Sequence, residues 1–349
     1  MRSTDGPAGS EALAWFGGRL ATGLVDVTDD PAALDSTGWW AVVVTFEGRV
    51  VCARFDDVRV APLPAARWAG VPERAWSSSL DHSTYVERVA RLRAGIAAGD
   101  YYQVNLCRVL SAPLPEDADL VGLAGRLAQG NPAPYAGVIR LPGHDLDVVT
   151  ASPELFLRRQ GDHVASGPIK GTATHADLLT AKDHAENVMI VDLVRNDLGA
   201  VAVTGSVGVP SLTAVEAHPG LVHLVSTVTA TLRPGAGWPD LLGATFPPGS
   251  VTGAPKSAAL TAIGELEPVP RGPYCGAVGW VDADRRRATL AVGIRTFWAT
   301  GSRDGRHLHL GTGAGITWGS DPEAEWDETE LKARRLRRVA ASGDLSAKG

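Results

Sequence analysis

The sequence predicts an α+β fold built on large antiparallel sheets. Three observations carry that expectation. Strand-like segments outnumber helical ones, many strands follow one another as hairpins, and 40 glycines and 23 prolines are spread along the whole chain. No internal repeat or low-complexity linker breaks the pattern.

The elements follow in order. Trp39 to Val44, a Glu47-Gly48 turn and Val50 to Phe55 read as a hairpin. A Pro-, Ala- and Ser-rich stretch, Ala61 to Ser79, is the expected boundary between a short N-terminal portion (1–80) and the main domain it packs on (81–343), which ends in a flexible tail (344–349). A helix begins near Thr84, where Thr84 and Glu87 can form a capping box. Val86, Val89, Leu92 and Ile96 recur at helical spacing, and Gly99 ends the run. Tyr102 to Leu110 alternates as a strand, which places Gln103 and Asn105 on one face. Further strands are expected at 136–141, 146–152, 154–159, 163–167, 275–282, 288–298 and 307–312. Hairpin turns fit Gly161-Asp162 and Asp282 to Arg285. Helices are expected at 182–197, 239–244, 256–266 and 322–341. Ser320 and Glu323 read as a capping box for the last, with Pro322 in its first turn.

Composition narrows the function classes. The chain has 349 residues, 33 basic against 39 acidic side chains and a net charge of −6. An acidic balance argues against a general nucleic-acid binder. No apolar run reaches the ~18 residues of a membrane span. Met1 to Gly9 is polar and has no signal-peptide core, so a cytoplasmic protein is expected. Cys52, Cys107 and Cys275 are isolated in apolar, strand-like settings, as buried packing thiols would be.

Two acidic pairs stand out. Asp183 and Glu186 share one face of the helix near 182–197, and Glu325 and Glu328 share one face of the last helix. Such pairs are common on solvated faces. Here the first runs straight into Val188-Met189-Ile190-Val191, and Trp326 sits within the second. Four carboxylates on two helices are the ingredients of a Mg²⁺ site. Two glycine-rich stretches, Gly249 to Lys256 and Gly311 to Gly315, could bring backbone N–H groups to an anion. Pro255 suits a first helical position, and Lys256 stands beside that helix start. The Gly249 to Lys256 stretch lacks the spacing of a nucleotide-binding P-loop.

A set of motifs occurs in a telling order: Tyr102-Gln103-Val104-Asn105-Leu106, Ser152-Pro153-Glu154-Leu155-Phe156, Pro168-Ile169-Lys170-Gly171-Thr172, Asp192 to Gly199, His223-Leu224-Val225-Ser226, Gly249 to Lys256, Arg271 to Gly276, Ile294-Arg295-Thr296 and Glu325 to Thr329. Together they resemble the chorismate-utilising enzymes, a family that includes anthranilate, aminodeoxychorismate, isochorismate and salicylate synthases. The resemblance covers about residues 100–342. The N-terminal portion is short for the family and lacks the Leu-Leu-Glu-Ser segment that marks the tryptophan site of anthranilate synthases.

The resemblance implies a two-lobed α/β sandwich of large antiparallel sheets flanked by helices. It implies Mg²⁺ held by Glu186 and Glu328, with Asp183 and Glu325 assisting. It makes Lys170 the discriminating residue, because aminodeoxychorismate synthases read Pro-Ile-Lys-Gly-Thr where anthranilate synthases read Pro-Ile-Ala-Gly-Thr. Lys170 is then a covalent nucleophile on ring carbon C2, or else only a partner for a substrate carboxylate. Glu154 matches the general acid, His223 a residue near the reacting ring, and Arg295 a partner for the enolpyruvyl carboxylate. Thr252, Gly253, Gly313, Ala314, Gly315 and Lys332 complete the expected substrate contacts. Gln103 stands where water-adding members carry a lysine base, which disfavours water addition. His184 replaces an arginine common in the family. No cysteine resembles a glutaminase nucleophile elbow, so ammonia is expected from a separate glutamine amidotransferase subunit or from free ammonium. The alternatives are an anthranilate synthase component and a non-catalytic chorismate-binding regulatory subunit.

Overall fold

The computed structural model describes residues 11–173, 175–218, 221–301 and 305–343. The expected flexible ends, Met1 to Gly9 and 344–349, lie outside the described residues. The chain opens with strands β1 (Leu13–Phe16), β2 (Arg19–Thr28), β3 (Trp39–Val44) and β4 (Val50–Val60). A short β5 (Ser77–Ser78) leads into helix α1 (His82–Ala98), β6 (Gln103–Pro113) and α2 (Leu120–Gly130). Then come β7 (Tyr135–Leu141), β8 (Leu146–Ser152), β9 (Leu155–Gln160), β10 (His163–Gly167) and β11 (Ile169–Ala173). Helix α3 (Ala181–Gly199) precedes β12 (Gly208–His218) and β13 (Leu221–Thr231). Helix α4 (Trp238–Thr245), β14 (Gly253–Ala254) and α5 (Lys256–Leu266) follow. The last elements are β15 (Ala277–Asp282), β16 (Arg287–Val292), β17 (Thr296–Thr300), β18 (His307–Ile316) and α6 (Pro322–Ala341).

The named strands pair antiparallel throughout, in one hydrogen-bonded path. One half runs β12–β13–β10–β9–β16–β15. The other runs β7–β8–β17–β18–β6. The N-terminal strands bridge them: β3 pairs β15 in register from Trp39↔Asp282 to Val44↔Ala277, and β1 pairs β7 from Leu13↔Arg140 to Phe16↔Gly137. One core cluster joins Val42, Val278 and Leu290 of the first half and its bridge to Val109, Ile139 and Val148 of the second, with Ile190 of α3 and Leu241 of α4. Helices α2 and α6 cover a second cluster around Trp68, Leu123, Phe297 and Leu336. Helices α1 and α5 cover a third, on Val104, Leu106, Ala314 and Ile316. This is the expected sandwich of large antiparallel sheets flanked by helices.

Local chemistry corrects several boundaries. Helix α1 starts earlier than Thr84, because Asp81 is the better cap: its Oδ1 accepts from Thr84 N at 2.8 Å. Tyr85, Val89 and Leu92 form its buried stripe, and Gly99 closes it at φ 86°. Asp321, not Ser320, caps α6 by accepting from the N–H groups of Glu323 and Ala324, while the Ser320 hydroxyl accepts from Thr317 N. Pro255 is the N-cap residue of α5 rather than its first helical residue. The expected strand 288–298 breaks at Gly293 to Arg295. Gly293 packs so closely on the Pro273 carbonyl that a Cβ would collide, and Arg295 takes φ 50°. Gly311 to Gly315 is not a turn but part of β18, in register with β6 from Gly311↔Val109 to Gly315↔Asn105.

Candidate active site

The site forms where strands β6, β18 and β11, the β8–β9 junction, the loop around Ser250 and helices α3 and α6 meet. Strand β6 contributes Gln103 and Asn105, which face away from the α1 and α5 cluster and are still buried, at 1% and 8% exposure. Gly315 lies opposite Asn105 on β18. A Cβ on Gly315 would strike Gln103 Nε2 and reach Lys170 Nζ at 3.5 Å, so this glycine leaves open the space between the amide and the amine. Gln103 Oε1 is buried without a hydrogen-bond partner, an acceptor available to an incoming group.

Lys170 projects from β11, where it pairs with Leu224 of β13; His223, 1% exposed, sits one position along, opposite residue 172. Lys170 Nζ donates to Ser250 O at 3.1 Å. Burial pulls its ammonium pKa down, while Glu186, Glu154 and Glu328 push it back up and Lys332 adds to the lowering. That balance places Lys170 among carboxylates from the β8–β9 junction, α3 and α6. Glu154 follows Ser152 at that junction, and its N–H donates to Ser152 Oγ at 3.2 Å. Burial raises its carboxyl to about 7, against the opposing effects of the Ser250 hydroxyl, the Lys170 charge and the Ile169 N–H. Ser250 thus touches both, with its carbonyl on Lys170 and its hydroxyl on Glu154. Thr252 in the same stretch was the residue expected from the sequence, and Ser250 was not foreseen. Thr252 Oγ1 donates to Pro248 O at 2.8 Å, and Gly253 pairs with Val104, so these two shape the loop. The signal for Ser250 was a second hydroxyl in that run, two residues from the chosen one.

Helix α3 is pinned to β13 by Asn187, another residue not foreseen. Its Nδ2 donates to Leu224 O at 3.1 Å, and its Oδ1 accepts from Ser226 Oγ at 2.5 Å. Glu186, its neighbour on α3, is one of the carboxylates whose charge favours the Lys170 ammonium. Asp183 is engaged otherwise: its carboxylate accepts from Thr180 N at 2.8 Å and from Thr180 Oγ1 at 2.6 Å, closing the capping box of α3. On α6, Glu328 pairs with Lys332 at 2.6 Å, and Lys332 Nζ also donates to Gly313 O at 3.0 Å. Ala314 lies on the other face of β18, in the cluster under α1 and α5. Glu325 is 5% exposed, on the side of Tyr85, whose hydroxyl pKa is raised well above its usual value first by burial and also by Glu325 and Glu328. Arg295 O accepts from Ala151 N at 3.0 Å, and burial, with Arg335 nearby, lowers the Arg295 pKa. Lys256, expected beside an anion, is instead committed to Asp197 Oδ2 at 2.8 Å and Thr245 O at 3.2 Å.

Among the described residues, no three His, Cys, Asp or Glu side chains converge as a metal cage. The donor chemistry still suits a hard cation. Glu186 and Glu328 offer oxygen alone from two helices, and Mg²⁺ commonly takes one or two carboxylates and completes its shell with water or substrate.

The family profile described as chorismate binding enzyme matches residues 51–338. Aminodeoxychorismate synthase component 1 of Salmonella typhimurium is 39% identical over 319 residues, 85% of this chain and 68% of that protein. Anthranilate synthase component 1 of Streptomyces coelicolor is 40% identical over 298 residues, 82% of this chain and 57% of that protein. The fold matches anthranilate synthase component I of Streptococcus pneumoniae at a TM-score of 0.75 and 24% identity, covering 97% of this chain and 94% of that one. It matches the menaquinone-specific isochorismate synthase of Escherichia coli at 0.77 and 19%, covering 96% and 89%.

Proposed function

Because the chain belongs to the chorismate-binding enzymes, we propose that it is the chorismate-aminating component of an aminodeoxychorismate synthase, joining ammonia to chorismate to make 4-amino-4-deoxychorismate. One observation carries the reading: an amine and a carboxyl share Ser250, with the Lys170 pKa drawn down by burial and that of Glu154 raised to about 7.

Each residue then has a task. Lys170, as neutral amine, forms a bond to ring C2 while the double bonds shift and the C4–O bond breaks. Glu154 gives its proton to the departing hydroxyl, which leaves as water. Ammonia bonds to C4, the electrons shift back, and the C2–N bond to Lys170 breaks; Glu154 takes up the proton that ammonia sheds. Gln103 Oε1 faces the approaching nucleophile as a neutral acceptor, and no lysine stands there to activate water. Glu186 and Glu328 would hold Mg²⁺, which supplies positive charge to grip and orient a substrate carboxylate. Arg295 and the Gly313–Gly315 edge receive the remaining anionic and polar groups.

The test identifies the product. The purified chain is incubated with chorismate, Mg²⁺ and ammonium, and the product is read by mass and ultraviolet spectrum. 4-Amino-4-deoxychorismate is expected. Anthranilate would overturn the assignment in favour of the reading that the Streptomyces relative also supports. No turnover of chorismate under any nitrogen source would favour a non-catalytic binding subunit.

A further inference from the structure

A second cavity lies beside the Gly249–Gly253 loop, linked to it by Arg271, which lines the cavity and donates from Nη1 to Val251 O. It encloses about 610 Å³, whereas the cavity lined by Glu154 and Ser250 encloses about 20 Å³. Its apolar walls include Phe46, Phe246, Leu260, Ile263 and Val269, and its polar lining is Glu47, Glu267 and Arg271. No residue assigned to chemistry above lines it. Both its size and its mainly apolar lining with few polar groups are those of a small-molecule site.

The polar groups determine what would fit. Arg271 is committed: Nε and Nη2 donate to the Glu267 carboxylate at 2.7 and 2.6 Å, Nη1 to Val251 O at 2.9 Å, and Nη2 to Asn105 O at 2.7 Å. The Phe46 ring covers its guanidinium at 4.2 Å. Glu267 Oε1 also accepts from Cys107 N at 2.8 Å. Glu47 stands exposed at the rim, where Oε1 accepts from Arg271 N at 2.7 Å and Gly272 N at 3.4 Å. The lining therefore carries two carboxylates against one guanidinium, and that guanidinium is already engaged through all three nitrogens.

We propose that this groove binds a small apolar molecule bearing a primary ammonium, with the ammonium at Glu47 and the apolar body between Phe46, Phe246, Leu260 and Val269. An amino acid fits less well, because its carboxylate would face Glu47 and Glu267 with no uncommitted cation to receive it. The same contacts connect the groove to the catalytic loop. An ammonium at Glu47 competes with the Arg271 and Gly272 N–H groups for that carboxylate. Arg271 in turn holds the carbonyl of Val251, next to Ser250, and that of Asn105, the strand position facing Gly315.

The test titrates the whole chain by calorimetry with 2-phenylethylamine, its neutral analogue 2-phenylethanol and L-phenylalanine. The amine is expected to bind saturably, the alcohol about two- to fivefold more weakly, as one exposed charge pair dictates, and the amino acid more weakly still. Glu47→Gln should erase the preference for amine over alcohol. Val269→Arg should abolish amine binding while leaving the melting temperature near that of the parent, since Val269 is 39% exposed. Hydrogen exchange at the 249–253 amides should change when the amine saturates the parent chain and stay constant in Val269→Arg. Absence of saturable amine binding, an unchanged preference in Glu47→Gln, or undiminished binding in Val269→Arg would each overturn the site. Saturable binding with unaltered exchange at 249–253 would overturn the link to the loop. These readouts do not depend on the product that the catalytic site makes.

Discussion

Lys170 and Glu154 are where single atoms decide the outcome. If Lys170 is the nucleophile, Lys170→Ala and Lys170→Arg should both cut amination by orders of magnitude, since a guanidinium stays protonated. Chorismate binding should change far less. With ammonia withheld, intact-mass measurement of the parent chain should show an adduct of chorismate less one water, mapped to Lys170. No adduct, together with an active Lys170→Arg, would sink covalent catalysis. Glu154 makes a second prediction through its raised pKa. The folded state holds the Glu154 proton up to about pH 7, well above the ordinary carboxyl range, so folding loses stability as pH rises through that window and nothing further above it. Glu154→Gln removes that loss. Relative to its effect at pH 4, it should stabilise the chain by roughly 3 kcal/mol at pH 8 while abolishing turnover. Urea melts at the two pH values would show it, and a pH-independent difference would contradict the buried-acid picture. Motif resemblance alone singled out Lys170, Glu154 and His223 as candidates. Ser250 was not, because its value lies in touching two residues 80 and 96 positions away.

Among the elements, helix α6 depends most on a residue outside itself. Arg108 of β6 is buried, and its Nε and Nη2 donate to Thr329 Oγ1 at 3.0 and 2.9 Å, while Nη1 donates to Ser78 Oγ at 3.1 Å. It also pairs with Glu330, and its guanidinium lies 4.1 Å from the Trp326 ring centroid. This clamp sets α6, with Glu325, Glu328 and Lys332, against the β6–β18 ladder. Arg108→Met should therefore lower unfolding free energy by roughly 2–4 kcal/mol, the cost of breaking a buried hydrogen-bonded pair. It should also weaken Mg²⁺ binding measured directly by calorimetry below the melting temperature. A destabilised variant with parental Mg²⁺ affinity would assign Arg108 to stability alone. Elements with strong local signals were legible: α1 by its periodicity and the Gly99 stop, and β9–β10 by the Gly161-Asp162 turn. Others were hidden by their own packing devices. Helix α2 carries Gly122 because it approaches the backbone of Arg67, and that glycine obscures its period. Strand β12 contains Pro210 and slips register between Gly208 and Ala214, so neither alternation nor composition marks it. The β1–β2 hairpin was announced by Gly17-Gly18 and was overlooked.

At the scale of the whole molecule, the strand path explains why the site could not be assembled from local reading. Strands β1 to β4 stitch the half that carries Gln103 and the half that carries Lys170 into one ladder, and no local pattern in 11–60 points to the β1–β7 and β3–β15 pairings. The same frame bears on the nitrogen source. Cys52 lies inside β4, Cys107 inside β6 and Cys275 just before β15, and all three are buried. Burial pushes the Cys52 thiol up to about 12, which leaves almost no thiolate at neutral pH. Cys107 Sγ accepts from Asn105 Nδ2 at 3.3 Å and meets Tyr274 OH at 4.0 Å, a setting without the exposed strand-to-helix turn of a hydrolytic nucleophile. A glutaminase needs an accessible, activated thiol, and none of the three meets that requirement. The isolated chain should therefore aminate chorismate with ammonium at alkaline pH, where free ammonia is available, and fail with glutamine alone. Adding a glutamine amidotransferase subunit should restore glutamine use at neutral pH, and inactivating that subunit's own nucleophile should remove it again while the ammonium reaction persists. Glutamine-dependent turnover by the purified single chain, retained after Cys52, Cys107 and Cys275 are each replaced by serine, would place the glutaminase chemistry on residues no thiol argument covers.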